Sequence, residues 1–200
     1  MSEPILSAAT VVLWRNGPDG PQVLMGQRGA GATFMPSKFV FPGGRVDDDD
    51  QALPGWLAPD CARRLTLSVP RDAPMPDMLV AAALRELDEE TGQRFAGPQS
   101  GAMRFIFRAI TPPGRTRRFD ARFLLADATA LASDPQDFSA ASGELSHLAW
   151  LPLPQARALD LPFITEVVLA EVAALVAGHD QPGVPFFDNS GPTPQFRRLV

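Results

Sequence analysis

Apolar positions along the chain fall into short runs cut by proline and glycine, with one longer stripe of helical period. Ala8 to Trp14 (AATVVLW) and Gln22 to Gln27 (QVLMGQ) are β-prone runs on either side of Asn16-Gly17-Pro18-Asp19-Gly20. Two such runs around a turn-forming cluster predict a hairpin. Phe39-Val40-Phe41 reads as a short strand ended by Pro42-Gly43-Gly44, because proline and paired glycines stop a ladder. The stripe lies in Asp77 to Thr91 (DMLVAAALRELDEET), where Val80, Ala83, Leu84 and Leu87 recur at i, i+3, i+4 and i+7. Asp77 is the expected N-cap and Gly92 stands where a helix-ending glycine belongs.

Further along, Arg104 to Ile110, Arg118 to Ala126 and His147 to Leu151 have strand character. Pro154 to Leu161 and Ile164 to Val176 read as helices, and the tail from Gly178 as irregular. Asp47 to Pro76 holds five prolines and four consecutive aspartates, with one possible helical turn around Cys61 to Leu67. Irregular stretches of that length are uncommon, so it is treated as an insertion at about 47–76. Strands and helices mix without regular alternation, which predicts one α/β domain over residues 1–200: a mixed sheet with flanking helices.

Composition narrows the function classes. A net charge of -5 gives no basic footprint for nucleic acid. No apolar run approaches a membrane span of about 20 residues, and the acidic start lacks the basic region of a signal peptide. A single cysteine, Cys61, excludes an internal disulfide. The expectation is a cytoplasmic protein with no nucleic-acid or membrane partner. Seventeen of the 18 positive charges are arginine, Lys38 being the exception. Arginine suits bidentate phosphate recognition, although codon bias yields the same composition.

The chemistry concentrates in Arg85-Glu86-Leu87-Asp88-Glu89-Glu90-Thr91-Gly92. At about 100° per residue, Glu86, Glu89 and Glu90 share an arc of roughly 100° on one helix face, clear of the apolar stripe. Three crowded carboxylates repel, and a divalent cation relieves the repulsion. Hard oxygen donors suit Mg²⁺ or Mn²⁺. Arg85 is an i, i+4 neighbour of Glu89 and positioned to pair with it. Glycines at 43 and 44 allow backbone to approach a cation and phosphates closely. An isolated acidic triplet is more often a solvated face, so the context has to decide.

That context resembles the signature of the Nudix hydrolases. The pattern runs glycine, five residues, glutamate, seven residues, then Arg-Glu-apolar-x-Glu-Glu-x-Gly-apolar. Gly44 matches the first glycine; Arg85, Glu86, Leu87, Glu89, Glu90 and Gly92 match the second half. Asp50 stands at the first acidic position, 34 residues rather than seven separate it from Arg85, and Gln93 occupies an apolar position. The stretches 34–47 and 117–126 resemble Nudix proteins whose box is interrupted, a branch that includes coenzyme A diphosphatases. Thr33 stands where the commoner coenzyme A pattern has arginine.

The resemblance implies an α/β/α sandwich with a mixed central sheet. It implies that Glu86, Glu89 and Glu90, with a backbone carbonyl near Gly43, hold Mg²⁺ or Mn²⁺, and that Arg85 orients them. Glu144, ahead of the His147 strand, is a candidate base or further ligand. Arg28, Phe41, Gly44, Arg117 and Arg118 are candidate substrate contacts, with Phe119 available to stack a base; residues 118–121 equally fit a half-buried strand with salt bridges. Asp47 to Asp50 read as a solvated acidic turn, and Trp14, Trp56 and Trp150 as core, with Trp56 alternatively in a lid. Gly29-Ala30-Gly31 lacks the lysine of a phosphate loop. The implied activity is metal-dependent cleavage of a nucleoside diphosphate linked to another moiety, coenzyme A or acyl-coenzyme A first. Alternatives are an ADP-ribose or nucleotide-sugar pyrophosphatase, or a regulatory module that binds nucleotides without turnover. The expected partner is a small-molecule nucleotide, and homodimers are common among such folds. The insertion is expected to fold over the diphosphate cleft.

Overall fold

The computed structural model describes residues 3–200. β1 (Ile5–Gly17) and β2 (Gly20–Arg28) form the expected hairpin, but the turn is only Pro18 and Asp19. Gly17 pairs directly with Gly20, whose φ of 101° lies in the left-handed region that glycine tolerates. The hairpin then forks. β1 and β2 pair through residues 14–17 and 20–23 only. Beyond that, β3 (Phe39–Val40) adds to the vacated edge of β2 and β4 (Gly43–Arg45) to the vacated edge of β1.

Pro42-Gly43-Gly44 therefore does not end the ladder, as the sequence suggested, but carries the chain across the fork from one strand to the other. A side chain at Gly43 would meet Ala9 O and Thr10 Cα at 2.6 Å, so only glycine lets this segment seat against β1.

β5 (Met103–Ile110), β6 (Arg118–Asp127), β7 (Leu145–Pro152), β8 (Val184–Asp188) and β9 (Gln195–Leu199) complete a nine-stranded mixed sheet. Its main order is β3-β2-β1-β6-β5-β8-β9; β7 lies on the other edge of β2 and β4 on β1. β1 runs parallel to β6 over ten residue pairs. The tail read as irregular thus contains two paired strands, and Val184, Phe186 and Leu199 are buried. Prolines at 182, 185, 192 and 194 masked them in the sequence.

Helices cover both faces. α1 (Pro59–Leu65) and α2 (Pro76–Thr91) pack on one core with Val11, Leu13, Leu24, Phe105 and Leu124; α3 (Leu153–Ala156) and α4 (Phe163–Val176) pack on another with Val12, Val23, Phe107, Phe123 and Leu125. Neighbouring residues such as Val11 and Val12 point to opposite cores, as strand pleating requires. This is the expected α/β/α sandwich. α3 is one turn rather than the eight residues read from sequence. No helix is long and apolar enough to cross a membrane among the described residues.

α2 departs from the sequence expectation at its start. Met75, not Asp77, is the N-cap, and it offers no side-chain hydrogen bond. Pro76 at the first position needs no N–H partner, and Asp77 contributes its charge to the first turn instead. Leu79 to Ala83 are buried without a break because residues 46–75 cover a second flank of the helix. That segment inserts Trp56 and Leu57 into the core, where Trp56 meets Phe95 edge-on with ring centroids 5.5 Å apart. Trp150 is likewise buried, and Trp14 packs half-buried against the other core.

Candidate active site

The C-terminal half of α2 faces the segment that crosses the β1–β2 fork. Gly92 ends the helix in the left-handed conformation at φ 73°, its N–H bonding Asp88 O. Glu90 is 2% exposed and accepts a 2.8 Å hydrogen bond from the Gly43 N–H. Glu86 is so close to Gly44 that a Cβ there would lie 2.1 Å from its Oε1. The two glycines thus bring backbone against two carboxylates: a side chain at Gly44 would run into Glu86, while one at Gly43 would run into β1 on the opposite side. Glu89 lies on the exposed side, turned toward Arg85 at 3.5 Å.

Arg85 is the organising cation. Its Nη1 donates to Glu86 at 2.8 Å, its Nη2 to Arg45 O at 3.1 Å, and its Nε and Nη2 grip Asp50 at 2.8 and 3.1 Å. The acidic turn is therefore not merely solvated, as its composition suggested. Asp50 is aimed inward, while Asp48 and Asp49 are exposed. The 34 residues separating Asp50 from Arg85 hold α1 and the first turns of α2, and they return the chain so that the pair meets. Burial raises the Asp50 carboxyl, but hydrogen bonds from Arg85 and the Asp47 N–H, with Arg85's charge, hold it below its ordinary value. Hydrogen bonding to Asp50, outweighing burial, raises Arg85 in turn.

Glu86 and Glu90 are shifted in the opposite sense. Burial pushes Glu90 up to about 8, against the Gly43 N–H and with the charges of Glu86 and Glu144 adding to it. Burial also raises Glu86, outweighing the Arg85 hydrogen bond. Two mutually repelling carboxylates, one buried and one partly so, are a place where a cation restores the charged form. Among the described residues no group of three His, Cys, Asp or Glu side chains is gathered closely enough to hold a metal ion by itself. Two converge and Glu89 stands one turn away, an all-oxygen set. That suits Mg²⁺, which takes few carboxylates and completes its shell with water and substrate phosphates.

Beside the carboxylates opens a recess of about 400 Å³ lined by Arg28, Thr33, Phe34, Arg117 and Glu144, with backbone at Gly29 and Gly31. Glu144 pairs with Arg28 at 3.1 Å across its mouth. Three expected substrate contacts are absent from it, Gly44 lying against Glu86 instead. Phe41, just past the end of β3, is 4% exposed and packs into the α3–α4 core on the face of the sheet away from α2. Arg118 is 4% exposed, its guanidinium donating to the carbonyls of Thr111, Asn189 and Ser190. It ties the β5–β6 turn to the tail. Asp120 instead bridges buried Arg108 and Arg122 at 2.7 and 2.9 Å, so the salt-bridged-strand reading holds for this stretch. Residues 47–76 do not line this recess; they bound another of about 460 Å³ on the far flank of α2, with Leu84, Asp88 and Phe95. The sequence reading missed Phe34; its place after a glycine-rich loop carried no signal.

An acidic helix governed by one arginine, seated under a glycine-paired strand crossing in an α/β/α sandwich, sets the class: proteins that carry their chemistry on a single helix and borrow backbone from the sheet. Comparison with known proteins gives that class its family. The NUDIX domain family model matches residues 5–172, and the chain belongs to that family. Among solved structures it is similar to a NUDIX hydrolase from Alicyclobacillus acidocaldarius, at 27% identity over 88% of this chain and 92% of that one, with a TM-score of 0.62. The fold is shared with the C. elegans Ap4A hydrolase in a binary complex (17% identity, 87% and 99% covered, TM-score 0.57). It is also shared with the NUDIX domain of Shewanella oneidensis NrtR complexed with ADP ribose (15% identity, 87% and 90% covered, TM-score 0.53). No curated protein matched the chain. Nudix hydrolases are pyrophosphohydrolases that act on small nucleoside diphosphate derivatives and generally use divalent metal ions, and this chain is such an enzyme.

Proposed function

We propose that this enzyme hydrolyses the diphosphate of a nucleoside diphosphate linked to another moiety, with coenzyme A or acyl-coenzyme A as the favoured substrates and Mg²⁺ or Mn²⁺ as the cation. The observation that carries the site is the pairing of Glu86 and Glu90 against the Gly43–Gly44 backbone, with Arg85 fixed by Asp50 behind them. The coenzyme A preference rests on the likeness of residues 34–47 and 117–126 to interrupted-box Nudix proteins. Coenzyme A would yield 3′,5′-ADP and 4′-phosphopantetheine.

Glu86, Glu89 and Glu90 would hold the cation, with backbone near Gly43 contributing. When bound, it would polarise phosphorus and lower the pKa of an attacking water. Arg85 keeps Glu86 and Glu89 oriented and stays charged throughout. Arg28 and Arg117 supply positive charge where the diphosphate oxygens gain charge. Glu144, exposed and within reach of both the recess and the carboxylates, is our candidate for taking the water's proton. Arg28, which pairs with it, would set its position before substrate arrives.

Product analysis tests this. Purified protein with Mg²⁺ or Mn²⁺ meets coenzyme A, ADP-ribose, a dinucleoside polyphosphate and a nucleotide sugar, with Glu89→Gln alongside. We expect Glu89-dependent cleavage with coenzyme A preferred; preference for ADP-ribose would replace the substrate, and no cleavage of any would overturn the proposal.

A further inference from the structure

We infer that Phe34 is a specificity-determining residue: its ring forms the stacking wall for the base of the substrate nucleotide, with Phe119 as its positioning residue. The inference deepens the proposed function and rests on the recess beside the carboxylates being the substrate's seat.

Four observations carry it. Phe34 lines the recess of about 400 Å³, within the range of small-molecule sites. Its ring meets Phe119 of β6 at a 72° angle with centroids 5.2 Å apart. In an edge-to-face pair at most one face of each ring is used, so Phe119 covers no more than one face of the half-buried Phe34 ring. The floor offers little else for an apolar ligand to touch: a Cβ added at Gly29 or Gly31 would meet nothing within 4 Å. Apart from the single methyl of Ala32 the remaining side chains are polar, and Arg117 has no side-chain hydrogen bond or ion pair among the described residues. A π face that Phe119 does not cover, on a ring lining the recess beside an unengaged guanidinium, suits a ligand both planar and anionic, which describes a nucleotide better than a sugar phosphate or a neutral ring.

The wall is also held in place. Met35 and Ser37 have φ of 51° and 61°, left-handed values that side-chain-bearing residues keep only when their surroundings impose them. Here the Ser37 N–H bonds Arg28 O at 3.1 Å, and Ser37 O accepts from the Gln27 side chain at 2.8 Å. The turn that presents Phe34 is thereby stitched to the end of β2.

The test compares AMP with ribose 5-phosphate, which carries the same phosphate without the base. Each is titrated calorimetrically into wild-type, Phe34→Leu and Phe34→Trp protein in Mg²⁺. Wild type is expected to prefer AMP by about 5- to 150-fold, the range of base–aromatic stacking. Phe34→Leu should abolish the preference at unchanged Tm, and Phe34→Trp should keep it. An AMP preference that survives Phe34→Leu, equal binding of both ligands by wild type, or no AMP binding overturns the inference. Hydrolysis by wild type is scored separately. Cleavage without base preference sinks this inference and spares the proposed function; base preference without cleavage does the reverse.

Discussion

Arg85 and Asp50 show how much one ion pair does here. The guanidinium reaches two helix carboxylates, and Asp50 fixes its plane from behind with two hydrogen bonds. Partners that orient metal ligands are commonly worth 10–100-fold in affinity or activity. Asp50→Asn should therefore lower kcat by about that factor. The same pair has a pH signature. Because Asp50 titrates below its ordinary value in the folded protein, its stabilisation is present above the unfolded carboxylate value of about 3.9 and lost as pH falls through the folded value. Denaturation of wild type and Asp50→Asn should differ at pH 7 and converge as pH falls below the ordinary carboxylate value and through the lowered folded one; a constant gap would contradict the pairing. Gln93 illustrates a different point. It departs from the family's apolar pattern, yet it is fully buried and bonds Ser133, Asp134 O and Asp137 O. Gln93→Ala should cost about 1–3 kcal/mol in denaturant unfolding by stranding those partners.

Among the elements, α2 was the most legible in the sequence. Its period, its terminal glycine and its acidic arc are local properties, and local properties survive folding. Its start was misplaced because proline and aspartate are both good opening residues, and only the backbone decides between them. The fork between β1 and β2 was invisible. Pro42-Gly43-Gly44 punctuates a strand and also permits a strand to change partners, and pairing is a long-range fact. The β8–β9 hairpin was hidden by its prolines. It is nonetheless structural: Phe186 is 1% exposed and stacks under the Arg108 guanidinium at 4.3 Å. Phe186→Ala should destabilise by about 3–5 kcal/mol, and calorimetric Tm is the measurement. An unchanged Tm would mean the hairpin is dispensable.

At the scale of the whole molecule, the α/β/α layering followed from mixed strand and helix patterns, and the carboxylates and arginine of α2 from one motif. The recess did not follow, because it is assembled from β2, the β2–β3 loop, the residue before β6 and the approach to β7. Of the substrate contacts read from sequence, Arg28 and Arg117 line the recess and Gly44 abuts Glu86, whereas Phe41 and Arg118 turn into the fold. Alternation along a strand fixes which residues share a face, not which face meets the ligand. A cation between Glu86 and Glu90 would relieve their crowding everywhere the fold is formed. Mg²⁺ or Mn²⁺ at a hundred times its Kd should add about 2.7 kcal/mol of stability. In a chain of this length that raises Tm by about 5–11 °C, reversibly on chelation.

The most direct test of the central claim, that the α2 carboxylates under the Gly43–Gly44 crossing are the cation site, is Mn²⁺ binding followed by electron paramagnetic resonance. Wild type and Glu90→Gln are titrated in parallel, with circular dichroism to show that both are folded. The account predicts Mn²⁺ binding by wild type and at least a tenfold weaker affinity in Glu90→Gln, with hydrolysis falling in step. Equal affinity in the two proteins would contradict it and place the cation elsewhere.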